Sequence, residues 1–147
     1  EGAAVGGGAT ILLHFDAVFI APNAKIKYPF SDLGLAPEVG SSFLLFQSLG
    51  YQQAAQLLFE SQPIDGNRYH ELGLAKYVGE DFFDEANKYA HMLKEQSLSS
   101  IIETKAILKS FMQEDLAKSR SKETAAMKKL FGSEDNIKAV EKFFAKK

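Results

Sequence analysis

Apolar and charged residues recur at helical spacing through the second half of the chain. Each of four consecutive stretches carries charges on one side and apolar residues on the other, which is typical of amphipathic helices. The predicted helices are 81–96, 99–114, 117–131 and 133–146. The last one begins with a serine and two acids and ends in lysines, as the helix dipole favours. It also carries an apolar stripe, expected to pack on this chain or on another copy, formed by Ile137, Val140, Phe143 and Phe144.

The first half of the chain instead mixes short β-branched and aromatic runs with shorter helical patterns. Strands are predicted for 18–21, 24–28 and 76–78. Helices, ended by glycines or turns, are predicted for 43–49, 51–60 and 67–72. The pattern therefore predicts an α/β protein with two parts, a mixed part over residues 1–79 and a helical part over residues 80–147.

Composition excludes several kinds of partner and chemistry. The 147 residues suffice for one domain with a core. A formal net charge of −2 provides no broad basic surface, so nucleic acid is not expected as a partner. The absence of cysteine excludes disulfides and thiolate chemistry, and the three histidines lack ligand spacing, so no metal site is predicted. No apolar run reaches the roughly 20 residues of a membrane-spanning helix.

A run of three glycines, Gly6–Gly8, precedes the apolar stretch 10–15. It predicts a tight turn that enters a helix, where free backbone N–H groups would attract negative charge. The spacing is not that of a dinucleotide fingerprint, and no Walker lysine follows. Close helix packing explains a glycine triplet about as well as ligand binding does.

The stretch 28–42 holds one carboxylate, Glu38, on what should be a short, stiff turn. Pro37 disfavours a helical conformation in the residue before it, and Gly40 permits unusual backbone angles. Ser41 or Ser42 is then expected to cap the next helix. The neighbours of Glu38 are apolar and would reduce its solvation, which favours a general base. On these residues alone, an acid placed near a helix start is the simpler interpretation.

Several segments in the same order resemble the crotonase superfamily, the enoyl-CoA hydratase/isomerase fold. They are residues 2–8 with the following Asp16, the stretch 28–42, the GLAKYV segment 73–78, and the last helix from Ser133. The resemblance implies the C-terminal portion of a ββα spiral core over residues 1–79, followed by a helical trimerisation region over residues 80–147. Because the chain starts inside a motif and without methionine, a truncated N-terminus is expected.

The resemblance also implies a chemistry. Members of the superfamily bind acyl-CoA thioesters and stabilise an enolate, and Gly7 matches the position that supplies one of two N–H donors to the thioester oxygen. The second donor would come from a segment before Glu1. Acyl-CoA is then the substrate, and no further cofactor is implied. The residues expected to bind substrate are Gly6, Gly8, Phe30 and Leu35.

The type of reaction depends on the carboxylates. Where the resemblance places the two glutamates of hydratases, this chain has Thr10 and Phe30, so hydration is disfavoured. For Phe30 a core aromatic is the preferred interpretation, with the acyl channel as an alternative. Glu38 matches the single catalytic glutamate of peroxisomal-type Δ3–Δ2-enoyl-CoA isomerases, which implies a proton shuttle from C2 to C4.

Two other functions remain open at this point, a non-catalytic module that binds acyl-CoA or protein, and a purely structural trimer piece. The resemblance favours a homotrimer, or a hexamer formed by two such trimers. It also suggests a peroxisomal location, although the chain does not end in a Ser-Lys-Leu type signal, and a mitochondrial or cytoplasmic location is the alternative.

Overall fold

Two small sheets organise the first half of the protein in the computed structural model, which describes residues 1–145. The first sheet contains β1 (Ala3–Val5), β3 (Lys25–Lys27) and β4 (Ile64–Asp65), in that order. β1 runs parallel to β3, with Ala4 opposite Ile26, and β4 pairs antiparallel with the other side of β3. The second sheet pairs β2 (Phe19–Ile20) in parallel with β5 (Tyr77–Val78).

Helices connect and cover these strands. α1 (Gly7–Thr10) continues as a 3-10 helix over Ile11–His14, and a second 3-10 turn spans Ser31–Leu33. α2 (Ser41–Glu60) is broken at Gly50, which confirms the prediction of two helices on either side of that glycine. The remaining helices are α3 (Gly66–Glu71), α4 (Phe82–Lys94), α5 (Leu98–Leu130) and α6 (Glu134–Phe144).

The core lies between the sheets and α2. Ile26 is fully buried on β3 while Lys25 is exposed, which confirms the alternation expected for that strand. Burial raises the pKa of Tyr28 and of Tyr69, because ionising either phenol inside the core would cost solvation. The larger buried residues of the cluster are Ile20, Ile26, Tyr28, Phe30, Leu45, Leu58 and Tyr69.

One predicted boundary in the helical part is wrong. The ranges 99–114 and 117–131 belong to a single helix, α5, which runs without a break through Asp115 and Leu116. No glycine or proline lies within α5, so nothing in its backbone interrupts the helix. Ser97 caps its start by accepting a hydrogen bond from the Ser100 N–H. The predicted extension of the last helix to Lys146 lies outside the described residues.

The helical part folds back onto the first half of the chain at several points. Lys105 on α5 forms an ion pair with Asp16, which follows the first 3-10 helix. Asn136 on α6 donates from its side-chain amide to the Leu33 carbonyl at 2.6 Å. α5 also contacts the start of α2 through Glu123. These contacts place α5 and α6 against the loop that carries Glu38.

The lengths and apolar character of the helices determine whether any of them could span a membrane. Among residues 1–145, no helix combines the length and the apolar character needed to cross a bilayer.

Candidate active site

The glycine turn lies between β1 and α1, and its backbone is fixed by hydrogen bonds on both sides. The Gly6 N–H donates to the Lys27 carbonyl at 3.0 Å, and the Gly6 carbonyl accepts from Ala9 and Thr10, each at 2.9 Å. Gly7 and Gly8 are exposed at the start of the helix. The first N–H groups of a helix have no partner within it, so this turn presents donors toward the outside of the core.

The carboxylate of Glu38 lies directly beside Gly7. A Cβ added at Gly7 would come within 3.3 Å of Glu38 Oε1, tighter than an ordinary van der Waals contact. Glu38 itself is half-buried. The two residues predicted to carry the chemistry are 31 positions apart in sequence, and the fold brings them together. Gly7 leaves the space between them free because it has no side chain.

The turn that carries Glu38 is strained. Val39, the next residue, has φ 55°, a left-handed conformation that is rare for a β-branched residue. Gly40 follows with φ 81°, which glycine adopts without penalty. A non-glycine residue in this region costs on the order of 1–3 kcal/mol and persists only where its surroundings hold it there.

Hydrogen bonds from three parts of the chain hold this turn. Within it, the Ser41 N–H donates to the Glu38 carbonyl at 3.0 Å. From the first 3-10 helix, His14 Nε2 lies 2.9 Å from the Val39 carbonyl oxygen, and it must be the donor because a carbonyl only accepts. From α5, the carboxylate of Glu123 accepts from the N–H groups of Gly40 and Ser42 at 2.6 and 3.0 Å.

The cap of α2 therefore differs from the prediction. Neither Ser41 nor Ser42 caps this helix with its side chain, and the N-cap position is Gly40. Glu123 supplies the acceptor instead, and the Ser42 hydroxyl donates to the same carboxylate at 2.5 Å. The Ser41 side chain is buried and has no hydrogen-bond partner among residues 1–145. An acid from a distant helix thus replaces a local serine cap.

The other predicted residues divide between support and core. Thr10 is fully buried, and its hydroxyl donates to the Gly6 carbonyl at 3.1 Å, so it braces the glycine turn. Phe30 is 5% exposed and belongs to the core cluster, in keeping with the preferred interpretation of that residue. Leu35 is half-buried on the loop before Glu38. Substrate contacts by Phe30 and Leu35 stay predictions.

Two cavities lie near the site, one beside His14 and Leu116 and one against the strained turn itself. The first has a volume of about 710 Å³ and mostly apolar walls from the first 3-10 helix, α2, α4 and α5, which include His14, Leu44, Leu108, Met112 and Leu116. The second, of about 460 Å³, lies between the turn and α5 and is bordered by Glu38, Val39, Arg120 and Glu123. Glu38 therefore has open space beside it as well as the glycine turn.

Sequence reasoning missed the two residues that hold the turn from outside, His14 and Glu123. The sequence pattern indicates no role for His14 and favours a solvated helix face for Glu123. Glu123 is in fact 6% exposed. The sequence around Glu123 offers no local signal, because the residues that it binds lie 81 and 83 positions away. No cluster of three possible metal ligands occurs among residues 1–145.

Comparison with known proteins agrees with this architecture. The family described as enoyl-CoA hydratase/isomerase matches residues 1–147. The crystal structure of an enoyl-CoA hydratase/isomerase from Pseudoalteromonas atlantica superposes with a TM-score of 0.92 at 28% identity, over 99% of this chain and 60% of the other.

Two curated relatives are named for different activities. The crotonyl-CoA hydratase of Syntrophomonas wolfei is 28% identical over 149 residues, which cover 100% of this chain and 57% of the relative. The 1,2-epoxyphenylacetyl-CoA isomerase of Escherichia coli is 35% identical over 98 residues, covering 65% of this chain and 37% of the relative. The chain thus spans less than two thirds of the length of the proteins it matches. Because the family match and the shared fold extend over essentially all of its residues, this protein belongs to the enoyl-CoA hydratase/isomerase family, within the crotonase superfamily.

Proposed function

We propose that this chain forms the catalytic part of a Δ3–Δ2-enoyl-CoA isomerase, with Glu38 as its single acid–base residue. The observation that carries the proposal is the approach of Glu38 Oε1 to within 3.3 Å of the Cβ position of Gly7. A thioester whose oxygen accepts a hydrogen bond from the Gly7 N–H would then have its C2 carbon beside a carboxylate. That is the arrangement needed to remove a proton while stabilising the resulting negative charge.

The proposed reaction moves one proton. The Glu38 carboxylate takes a proton from C2 of a 3-enoyl-CoA, and the electron pair of that bond delocalises over the dienolate, whose oxygen is held by the Gly7 N–H. Protonated Glu38 then returns the proton to C4. The double bond moves from C3–C4 to C2–C3, and the carboxylate is regenerated. Removing one donor of such an oxyanion site typically costs about a hundred- to a thousand-fold in rate.

The residues around the site favour isomerisation over hydration. A hydratase that works with two glutamates needs carboxylates where the resemblance places Thr10 and Phe30. The Thr10 hydroxyl donates a hydrogen bond to the Gly6 carbonyl, and Phe30 is packed in the core. Neither residue has a carboxylate that could activate a water molecule. One similar protein is a crotonyl-CoA hydratase, which keeps hydratase as the second candidate.

A non-catalytic binding module is disfavoured by the strained turn. Holding Val39 at φ 55° costs free energy, and strain of this kind is concentrated at functional sites. A module that only bound acyl-CoA would have no use for a carboxylate held against the glycine turn. The apolar cavity of about 710 Å³ beside His14 and Leu44 offers room for an acyl chain, in support of a fatty acyl substrate.

The substrate class is tested with the full-length protein. Incubation with a 3-enoyl-CoA should produce the conjugated 2-enoyl-CoA, detected by its ultraviolet absorbance, whereas incubation with a 2-enoyl-CoA should produce no 3-hydroxyacyl-CoA. Rapid hydration of the 2-enoyl substrate would support the hydratase alternative. Acyl-CoA binding with no turnover of either substrate would support the binding module.

A further inference from the structure

We propose that Glu123 on α5 is a positioning residue that holds the strained turn in the conformation that directs Glu38 toward Gly7. The inference rests on the proposed function for its catalytic consequence, and on the geometry alone for the restraint of the turn. Glu123 contacts neither Gly7 nor the proposed position of the reacting atoms. It acts through Gly40 and Ser42, the second and fourth residues after Glu38.

The surroundings of Glu123 are unusual for an acid on a long, mostly exposed helix. Its side chain is 6% exposed, and among residues 1–145 no lysine or arginine pairs with it. Its oxygens accept from two backbone N–H groups at 2.6 and 3.0 Å and from the Ser42 hydroxyl at 2.5 Å. The Ser119 hydroxyl, one turn earlier on α5, lies 2.9 Å from that of Ser42. A buried carboxylate is tolerated only when hydrogen bonds replace its lost hydration, and these contacts do so.

The same contacts restrain the turn at its C-terminal end. The N–H groups of Gly40 and Ser42 belong to the first turn of α2, where no intrahelical acceptor exists for them. The negative charge of Glu123 also interacts favourably with the N-terminal end of the helix dipole. With these bonds in place, Gly40 is fixed relative to α5, and Val39 is held between two anchors, its own carbonyl bound by His14 and the following N–H bound by Glu123.

Loss of the Glu123 anchor should let the strain at Val39 relax. Without the hydrogen bonds from Glu123, the unfavourable φ of 55° at Val39 is no longer held in place. The adjacent Glu38 carboxylate would then move away from Gly7. A displacement of about 1 Å at a catalytic group can cost on the order of a hundred-fold in rate. Catalysis then depends on the packing of α5 against the strained turn, through a residue that does not contact substrate.

The matched variants are Glu123→Gln and Glu114→Gln in the full-length protein. Both remove one negative charge from α5 and preserve side-chain size, but Glu114 is exposed and pairs with Lys118. Glutamine at 123 keeps one acceptor oxygen, and its amide group faces N–H donors that it cannot accept from. We expect Glu123→Gln to lower kcat for 3-enoyl-CoA isomerisation by about ten- to a hundred-fold, with little change in KM. Glu114→Gln should behave like wild type.

Hydrogen–deuterium exchange of the segment 39–45 gives a readout that is independent of activity. In wild type the amides of Gly40 and Ser42 should be protected, and Glu123→Gln should make them exchange faster while the core strands keep their protection. Both measurements are made well below the melting temperature of each variant, so that a smaller folded fraction cannot imitate the effect.

The two hypotheses fail in different ways. Unchanged exchange and unchanged kcat in Glu123→Gln would overturn the positioning role, as would an equal loss in Glu114→Gln, or a loss of activity explained by unfolding alone. If wild type does not isomerise 3-enoyl-CoA, the proposed function is wrong, and the exchange comparison still decides whether Glu123 restrains the turn.

Discussion

The contact between Glu38 and Gly7 determines what this site can do at the scale of single residues. The Glu38 carboxylate stands 3.3 Å from where a Cβ of residue 7 would be, so any side chain at that position would have to displace it. Gly7 is exposed and lies in the first turn of α1, so its role does not come from core packing. The absence of a side chain there is needed for the geometry of the site.

Gly7→Ala tests whether the missing side chain is needed for catalysis. The added methyl group would displace the Glu38 carboxylate by a few tenths of an ångström, and kcat for 3-enoyl-CoA isomerisation should fall by roughly ten-fold. Stability should not fall, because alanine is a better helix former than glycine at an exposed helix position. Steady-state kinetics and a thermal melt on the full-length protein make the comparison. Wild-type kcat in the variant would mean that Glu38 is not aligned by this contact.

Only some of these residues can be identified from the sequence. Glu38 and the glycine triplet could be singled out because their signals are local, a Pro–Glu turn before a helix and three adjacent small residues. Their resemblance to family segments then assigned the chemistry. Glu123 and His14 could not be identified, because each acts on a backbone group brought near only by tertiary folding.

At the scale of elements, the packing of α5 against the start of α2 is the contact on which the site depends. A Cβ at Gly40 would lie 2.4 Å from Leu116 Cδ1, closer than real contacts allow. Gly40 therefore meets two demands, a left-handed backbone and a close approach of α5. Gly50, at the break in α2, has φ 75° with ψ 171°, a different region that is essentially restricted to glycine, and nothing lies within 4 Å of its added Cβ.

The two glycines give a matched pair of stability predictions. Gly50→Ala should cost on the order of 1–3 kcal/mol from backbone strain alone. Gly40→Ala should cost about 1–3 kcal/mol from overpacking against Leu116 in addition to its own backbone strain. Urea denaturation measures both, and the double variant Gly40→Ala with Leu116→Ala should recover part of the excess. If Leu116→Ala recovers none of the stability lost in Gly40→Ala, α5 does not pack on Gly40.

The sequence predicts helices well where their hydrophobic periodicity is strong, and it misses strands that exist only because they pair with a neighbouring strand. The helices from residue 82 onward follow their amphipathic pattern, whereas the break expected near residue 115 is wrong because polar residues inside a long helix do not interrupt it. β1 and β4, of three and two residues, were not predicted. Strands this short become strands only through hydrogen bonds to β3, and no periodicity signals them.

At the scale of the whole molecule, large apolar side chains remain exposed along the last two helices. Ile107 and Phe111 lie one turn apart on α5 and are 56% and 76% exposed, and Phe131 after α5 is 74% exposed. Phe143 on α6 is 54% exposed. An apolar surface of this kind favours association, and we propose that it contributes to a homotrimer.

The trimer is tested by measuring molar mass with light scattering after size-exclusion chromatography. The double variant Ile107→Glu with Phe111→Glu should lower the molar mass, because charges would be buried at the contact. Lys129→Glu, exposed on the same helix, serves as a charge-changing control and should keep the wild-type mass. A monomeric wild type, or a trimer unaffected by the double variant, would remove α5 from the interface.

The central claim is that the Glu38 carboxylate performs the proton transfer, and Glu38→Gln in the full-length protein tests it most directly. The variant keeps the size of the side chain and removes the base, so isomerisation of a 3-enoyl-CoA should slow by about a hundred- to ten-thousand-fold while acyl-CoA binding is retained. Glu60→Gln, an exposed acid at the end of α2, should leave the rate unchanged. Equal isomerisation rates for wild type and Glu38→Gln would contradict the account and assign the base to another residue.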